Sequence, residues 1–456
     1  MKPNCNQPRS MDFLTAPLML SAAAEGDTKI FINTLKYIRN INLTDGQKET
    51  ALHKAVAGGH MDIVRLLLEK GASIEVVTNW PGSYTPLHFA AQSGHTSTAE
   101  LLLDRGASID PITKWPYGYT PLHLAAQNGQ ASTAELLLEK GALIEAITKW
   151  SDSYTPLHFA AQNGHTSTAE LLLEKGASAE ARNNDENTPL HLAAQNGHTS
   201  TAKLLLGRGA SIEAMDWVGR TPLHLATQRG HASTAELLLE KGALIDHAIK
   251  WPYGYTPLHL AAQNGHTSTA KLLLRRGASI EATDWVGRTP LHLAAQGGHT
   301  STAELLLGGD RGASMEAMDW FGRNPLHLAA QNGHTSTAAL LLGSGASTEA
   351  MDRVGNTPLH LAAQSGHTST AELLLEKGAS TRAVTKWPDN YTPLHLAAQN
   401  GRTRTAGLLL RRGALIEALD RDGRTPLAHA EKHGHADTVK LLKNGAAKLF
   451  ARGNYA

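Results

Sequence analysis

The sequence predicts an all-α solenoid of stacked two-helix units, and two observations carry that reading. Thr-Pro-Leu-His begins at Thr85, Thr120, Thr155, Thr188, Thr221, Thr256, Thr289, Thr357 and Thr392, with close variants at Thr50, Asn324 and Thr425. These twelve copies step by only 33 or 35 residues, a period that marks a stack of supersecondary units rather than one globular core. After each copy come a short apolar segment, a glycine, and then a leucine-rich segment, in most copies Leu-Leu-Leu. A compact chain of 456 residues would be expected to divide into several domains. A repeat array escapes that limit because each unit packs only on its neighbours.

Taken in order, residues 1–14 read as a flexible leader and 15–49 as an N-terminal capping repeat. Internal repeats fill 50–424, a C-terminal capping repeat 425–447, and a tail 448–456. Phe13 to Ala24, behind Lys2 and Arg9, superficially resembles a short secretory signal. Met19 to Asp27 also fits the first helix of a degenerate unit, with Ile30 to Asn42 as second helix and exit. The capping reading is preferred, because terminal repeats are expected to be atypical.

Thr120 to Ala142 illustrates the unit. Thr120 caps a first helix, and Pro121 suits its first turn, where a missing N–H costs nothing. Leu122, Leu124 and Ala125 supply apolar surface, and Gly129 offers a left-handed stop. Ser132 and Glu135 have capping-box spacing for a second helix. That spacing returns at Ser97/Glu100, Ser167/Glu170, Ser233/Glu236, Ser301/Glu304 and Ser369/Glu372. Leu136, Leu137 and Leu138 give the buried bulk and Gly141 ends the unit.

Thr-Pro-Leu-His-x-Ala-Ala, then Gly-His, then the leucine run, then Gly-Ala resembles the ankyrin repeat over roughly residues 17 to 447. The resemblance implies β-hairpin fingers, paired antiparallel helices, and a concave surface of fingers and first helices that binds partner proteins. Two departures stand out. Thr-Ala (Thr98-Ala99, Thr168-Ala169) replaces the family's Ile-Val, so less branched apolar area is expected at each interface. Ser and Glu, as in Ala72-Ser73-Ile74-Glu75, often replace the Asp and Asn after Gly-Ala, which removes the family's asparagine-hydroxylation acceptor there.

Composition fits a non-catalytic intracellular protein. The net charge of +1 argues against a nucleic-acid binder by bulk electrostatics. From Arg402 onward, however, 11 Lys plus Arg face 5 Asp plus Glu, read as the polar face of a capping repeat. The one cysteine, Cys5, allows no internal disulfide. No apolar run approaches a membrane span. Phosphate-loop, dinucleotide, zinc-protease and nucleophile-elbow motifs are missing, so neither catalytic residues, cofactor nor metal is expected. Of 24 histidines, eleven hold the fourth motif position and ten follow the inter-helix glycine. They recur once per layer instead of converging on one point, so a hydrogen-bonding role is expected and a zinc site is not.

The aromatic residues break the monotony. All eight tryptophans precede a motif, and five of those loops carry two surplus residues, such as Lys114-Trp115-Pro116-Tyr117-Gly118-Tyr119. A Trp and a Tyr around a Pro/Gly turn stiffen a long finger, and they are also the side chains that dominate interface energies. The expected partner-binding site is therefore the row Trp80, Tyr84, Lys114, Trp115, Tyr117, Tyr119, Lys149, Trp150 and Tyr154, from three consecutive layers. Nearly identical first helices cannot distinguish positions along a ligand, so specificity is expected in the fingers. The repeated Gln127-Asn128, Gln162-Asn163 and Gln263-Asn264 are expected to form a solvated polar stripe. The reading is a monomeric, cytoplasmic scaffold or adaptor for one or more proteins. A regulatory subunit occluding an enzyme and a microbial effector delivered into a host cell are the alternatives.

Overall fold

In the computed structural model, residues 12–453 are described except 80–81, 115, 150–151, 251, 310–311 and 387–388, with side chains from 15 to 446. The described residues form 26 α-helices and no strand; one isolated bridge joins Thr44 to Thr50. The chain divides into two compact units, Met1–Trp217 and Val218–Ala456. Within each, first helices pack on first helices and second helices on second helices.

The first pair is Asp12–Glu25 and Thr28–Leu35. Met19, Leu20, Ala22, Ala23 and Phe31 are buried in it, and Asp27 caps its second helix by accepting from the Ile30 N–H at 2.9 Å. Helix thus begins at Asp12, inside the segment read from sequence as leader; the rest of that leader, residues 1–11, lies outside the described residues. The last helix runs Ala436–Gly453, past the expected boundary at 447.

Each first helix starts on its motif. In Pro121–Gln127, Thr120 is the N-cap, extended at φ −96°, and Pro121 occupies the first turn. The partner in the cap is histidine. The His123 Nδ1 accepts from the Thr120 N–H at 3.1 Å and sits 2.8 Å from its hydroxyl, while Thr120 Oγ1 accepts from the His123 N–H at 3.4 Å. Thr-x-x-His is therefore a capping box with an imidazole where Glu or Gln usually stands. The Ser-x-x-Glu expectation for second helices is corrected. Those helices begin two residues earlier than a serine cap would set, at Thr96, Ala131 and Thr166, and their caps His95, Gln130 and His165 make no side-chain cap bond. Ser97 and Ser132 lie inside the helix, where no orphan N–H faces them.

Four recurring links tie one repeat to the next. The motif imidazole reaches forward: His88 Nε2 lies 3.1 Å from the Tyr119 carbonyl and His123 Nε2 3.0 Å from that of Tyr154. Since a carbonyl only accepts, Nε2 carries the proton and Nδ1 is the acceptor, which fixes the neutral tautomer. The second histidine reaches back. His165 Nε2 donates to the Gln127 carbonyl at 3.0 Å, one of the groups that a helix C-terminus leaves without an intrahelical partner. Gln130 and Arg402 occupy the same place and donate to Gln92 and Gln364 at 3.5 and 3.1 Å. The third link is hydroxylic: Thr96 to Thr133 at 2.7 Å, repeated at Thr166/Thr201, Thr267/Thr302 and Thr300/Thr337. The fourth runs through the acidic residue after Gly-Ala, as Glu145 Oε1 accepts the Ser178 N–H at 2.7 Å and Glu281 that of Ser314 at 2.6 Å.

Both departures from the ankyrin pattern thus acquire a cause. The threonine that replaces a branched apolar residue is buried, Thr133 at 1% exposure, and trades apolar area for a bond across the boundary. The glutamate caps the next repeat's backbone.

Candidate functional site

The fingers come in two chemistries. Four of the five long fingers close on threonine, and the fifth on Ile249 through its backbone alone. Thr113 donates its N–H to the Tyr119 carbonyl at 2.9 Å, and its hydroxyl accepts the Tyr119 N–H at 2.7 Å. Thr78/Tyr84, Thr148/Tyr154 and Thr385/Tyr391 repeat the pattern. Most short fingers close on a buried aspartate, with Asn183 in that place in one of them. Asp284 Oδ1 accepts from Val286 and Arg288 N–H, and its Oδ2 takes the Arg288 guanidinium at 2.8 Å. One such pairing is too short to register as a strand, so the expected hairpins are side-chain-stapled turns. Neighbouring fingers are joined by single backbone bonds, including Trp285 N–H to Tyr253, Trp320 to Val286, Arg353 to Phe321 and Lys386 to Val354, all at 2.8 Å.

The sequence-predicted site divides. Trp80, Trp115 and Trp150 lie outside the described residues. Tyr84, Tyr119 and Tyr154 are half-buried at the finger bases. Tyr84 stacks on His88 with ring centres 5.5 Å apart, and Tyr154 does the same on His158. Tyr119 meets Phe159 edge-on at 5.4 Å. Burial raises all three phenols, that of Tyr119 to about 12, so they stay protonated and apolar-facing. Tyr117 stacks on Tyr119 at 5.1 Å and remains outward, with Lys114 and Lys149 exposed. The tyrosines therefore brace the finger, and Tyr117 with the two lysines forms its described exposed surface.

The expected polar stripe is also altered. Asn128, Asn163 and Asn264 turn their amides back onto the Leu124, Phe159 and Leu260 carbonyls at 2.8 to 2.9 Å. They satisfy helix ends, which leaves the glutamines as the outward polar groups.

A second aromatic row was missed. In Val218–Ala456, Tyr253, Trp285, Trp320, Phe321 and Val354 are all exposed, Trp320 at 59% and Phe321 at 56%. Its signal is in the sequence, since Trp251, Trp285 and Trp320 also fall in three consecutive layers, but only the Trp251 loop carries the two surplus residues present in all three loops of the first row. Between these fingers and the first helices lie two successive clefts. One, of about 230 Å³, is lined by Phe321, Arg323, Asp352, Arg353, Val354 and Leu361 among others. The next, of about 250 Å³, is lined by Val354, Gln364, Lys386, Asp389, Tyr391 and Leu396.

The motif histidines are held neutral. Burial drives His88, His123, His158, His292 and His360 down to about 4 and His224 to about 3, against the raising effect of the backbone carbonyls they contact. Among the described residues no three His, Cys, Asp or Glu side chains converge as a metal site, and no helix is long and apolar enough to cross a membrane.

Comparison with known families matches the description "Ankyrin repeats (3 copies)" over residues 18–113, 80–148, 110–183, 157–250, 217–284, 244–319, 291–385 and 381–450. Comparison with curated proteins gives no match. Among solved structures, the human ASB11 ankyrin repeat domain is similar at 30% identity over 51% of this chain and 99% of that one, with a TM-score of 0.45. Ankyrin repeats are generally protein-interaction scaffolds and typically non-catalytic. With matches running nearly end to end over the twelve-copy motif, this chain belongs to the ankyrin repeat family.

Proposed function

We propose that the protein is a non-catalytic scaffold that recognises partner proteins through the concave face and aromatic fingers of its repeats. The observation that supports it is where the recurring polar groups go. Motif threonines and histidines, second-position histidines, helix-end asparagines and loop glutamates all bond to the repeat itself or its neighbour. Little is left over for chemistry, and the variable exposed groups are at the fingertips. The proposed first-unit site comprises Trp80, Trp115, Trp150, Tyr117, Lys114 and Lys149, on fingers whose bases are braced by Tyr84, Tyr119 and Tyr154. Aromatic and basic side chains are the residue types that carry most interface energy.

The test is an affinity pull-down from lysate, comparing wild type with Trp80/Trp115/Trp150→Ala at matched melting temperature. Partners lost only from the variant locate the site on these fingers. An unchanged partner list moves it elsewhere on the repeats and makes the tryptophans struts.

A further inference from the structure

The second aromatic row has a chemistry of its own. Tyr253, Trp285, Trp320 with Phe321, and Val354 stand at successive fingertips, each finger tied to the next by a backbone bond of 2.8 Å. Behind them the two clefts share one design. Each has an apolar wall from a fingertip (Phe321, then Val354), a cation from the following finger (Arg353, then Lys386), and a leucine from the first helix at its back (Leu361, then Leu396). Over the two repeats that carry the clefts the site is periodic, with one apolar wall and one cleft in each.

Successive first helices pack side by side, which sets a spacing of roughly 8–10 Å between packed helices. A ligand reading the same groups at each step must present equivalent side chains at that interval. A β-strand does so poorly, because three residues at about 3.3 Å each turn the side chain to the opposite face. A polyproline-II segment has three residues per turn and a rise of about 3.1 Å, so every third side chain returns to one face after about 9 Å. Exposed indole and phenyl rings are also the surfaces on which such segments dock.

Charge narrows the choice. Arg323 is committed to Asp319 at 2.8 Å and lies 4.8 Å over the Phe321 ring. The buried Asp352 is taken up by the Val354 and Asn356 N–H groups and the Asn356 amide. Arg353 and Lys386 are exposed, with no ion pair among the described residues. Each cleft thus has one carboxylate in its lining: Asp352, already bonded as described, in the first, and Asp389 in the second.

We propose that this row binds an acidic, proline-containing segment of a partner protein in polyproline-II conformation, seating an apolar side chain in each cleft at every third residue and its carboxylates on Arg353 and Lys386. This rests on the scaffold reading above and narrows it to one partner chemistry.

The experiment is fluorescence anisotropy of a labelled synthetic peptide of four Glu-Pro-Leu triplets on the full chain. A control peptide of the same composition has its triplet order scrambled. The periodic peptide is expected to bind and the scrambled one to bind far more weakly. Trp320→Ala, checked for an unchanged melting temperature, should weaken binding roughly thirtyfold, the loss typical of an interface anchor. Arg353→Glu with Lys386→Glu should weaken it further at low salt than at high salt. Equal binding of both peptides, no binding of the periodic one, or indifference to both sets of substitutions overturns the proposal. Any of these leaves the scaffold reading standing, because the lysate pull-down tests that separately.

Discussion

Thr96 and Thr133 meet hydroxyl to hydroxyl at 2.7 Å across a repeat boundary, and the same pair recurs wherever a second helix begins with threonine and the bond is described. Two second helices of internal repeats begin with alanine instead, at Ala131 and Ala232. The hydroxyls that would face them, Thr168 Oγ1 and Thr269 Oγ1, are buried with no hydrogen-bond partner. Ala131→Thr and Ala232→Thr should each satisfy a buried group and stabilise the protein by several tenths to about 1 kcal/mol. Thermal midpoints measured for the single and double variants check this; unchanged or lower midpoints would show that the ladder does not contribute.

Acid should unfold the array from its histidines. In the folded state the motif imidazoles sit near 4, below the ordinary 6.5, because burial disfavours the charged form. The unfolded chain therefore binds more protons between those values. Stability is fully present above about pH 6.5 and is lost as pH falls through that value toward 4, by roughly 3 kcal/mol at most for each such residue. Protonation also ends the acceptor role of Nδ1 in the capping box. Melting temperature should be flat from pH 8 to 7 and fall steeply below pH 6, and an equal value at pH 8 and pH 5 excludes the mechanism.

Two glycines with similar backbones should differ in their need for glycine. Gly129 has φ +73°, and a Cβ there would lie 2.6 Å from the His165 ring, whereas Gly141 has φ +93° and open space around it. Gly141→Ala pays only for the left-handed conformation, about 1–2 kcal/mol. Gly129→Ala adds displacement of the imidazole that holds the Gln127 carbonyl, and should cost clearly more. Urea midpoints of the two variants decide; equal losses would mean the ring moves freely.

The backward link should depend on the donor, not on the imidazole. Gln130 and Arg402 already stand where other repeats have histidine and donate to the same carbonyl position. His165→Gln is therefore expected to lose less than about 0.5 kcal/mol. His165→Ala strips a helix-end acceptor of its partner and should lose about 1–2 kcal/mol. Circular dichroism melts of both variants test the contrast, which fails if Gln and Ala are equivalent.

The helix pairs, their proline-started first turns and the glycine stops were legible because they follow from local chain chemistry at a repeated spacing. The repeated histidine was legible as structural for the same reason: one residue per layer cannot converge on an ion. The second-helix caps differ from the expectation, since Ser-x-x-Glu at Ser132 and Glu135 has the right spacing but the helix starts at Ala131, two residues earlier than a Ser132 cap allows. Tyr84, Tyr119 and Tyr154 read from sequence like the exposed Tyr117, because composition cannot tell a fingertip from the face that stacks on His158.

By itself, then, the sequence determined the period, the helical units, the family and the finger positions, all properties of residues close together in the chain. The tertiary structure decided what spans repeats 31 to 38 residues apart. It turned a threonine that seemed a loss of packing into a buried link, made a loop glutamate a cap for its neighbour, and divided the aromatics into braces and exposed platforms. Those outcomes depend on which side chains face one another once layers stack, and that geometry exists only after the neighbour is in place.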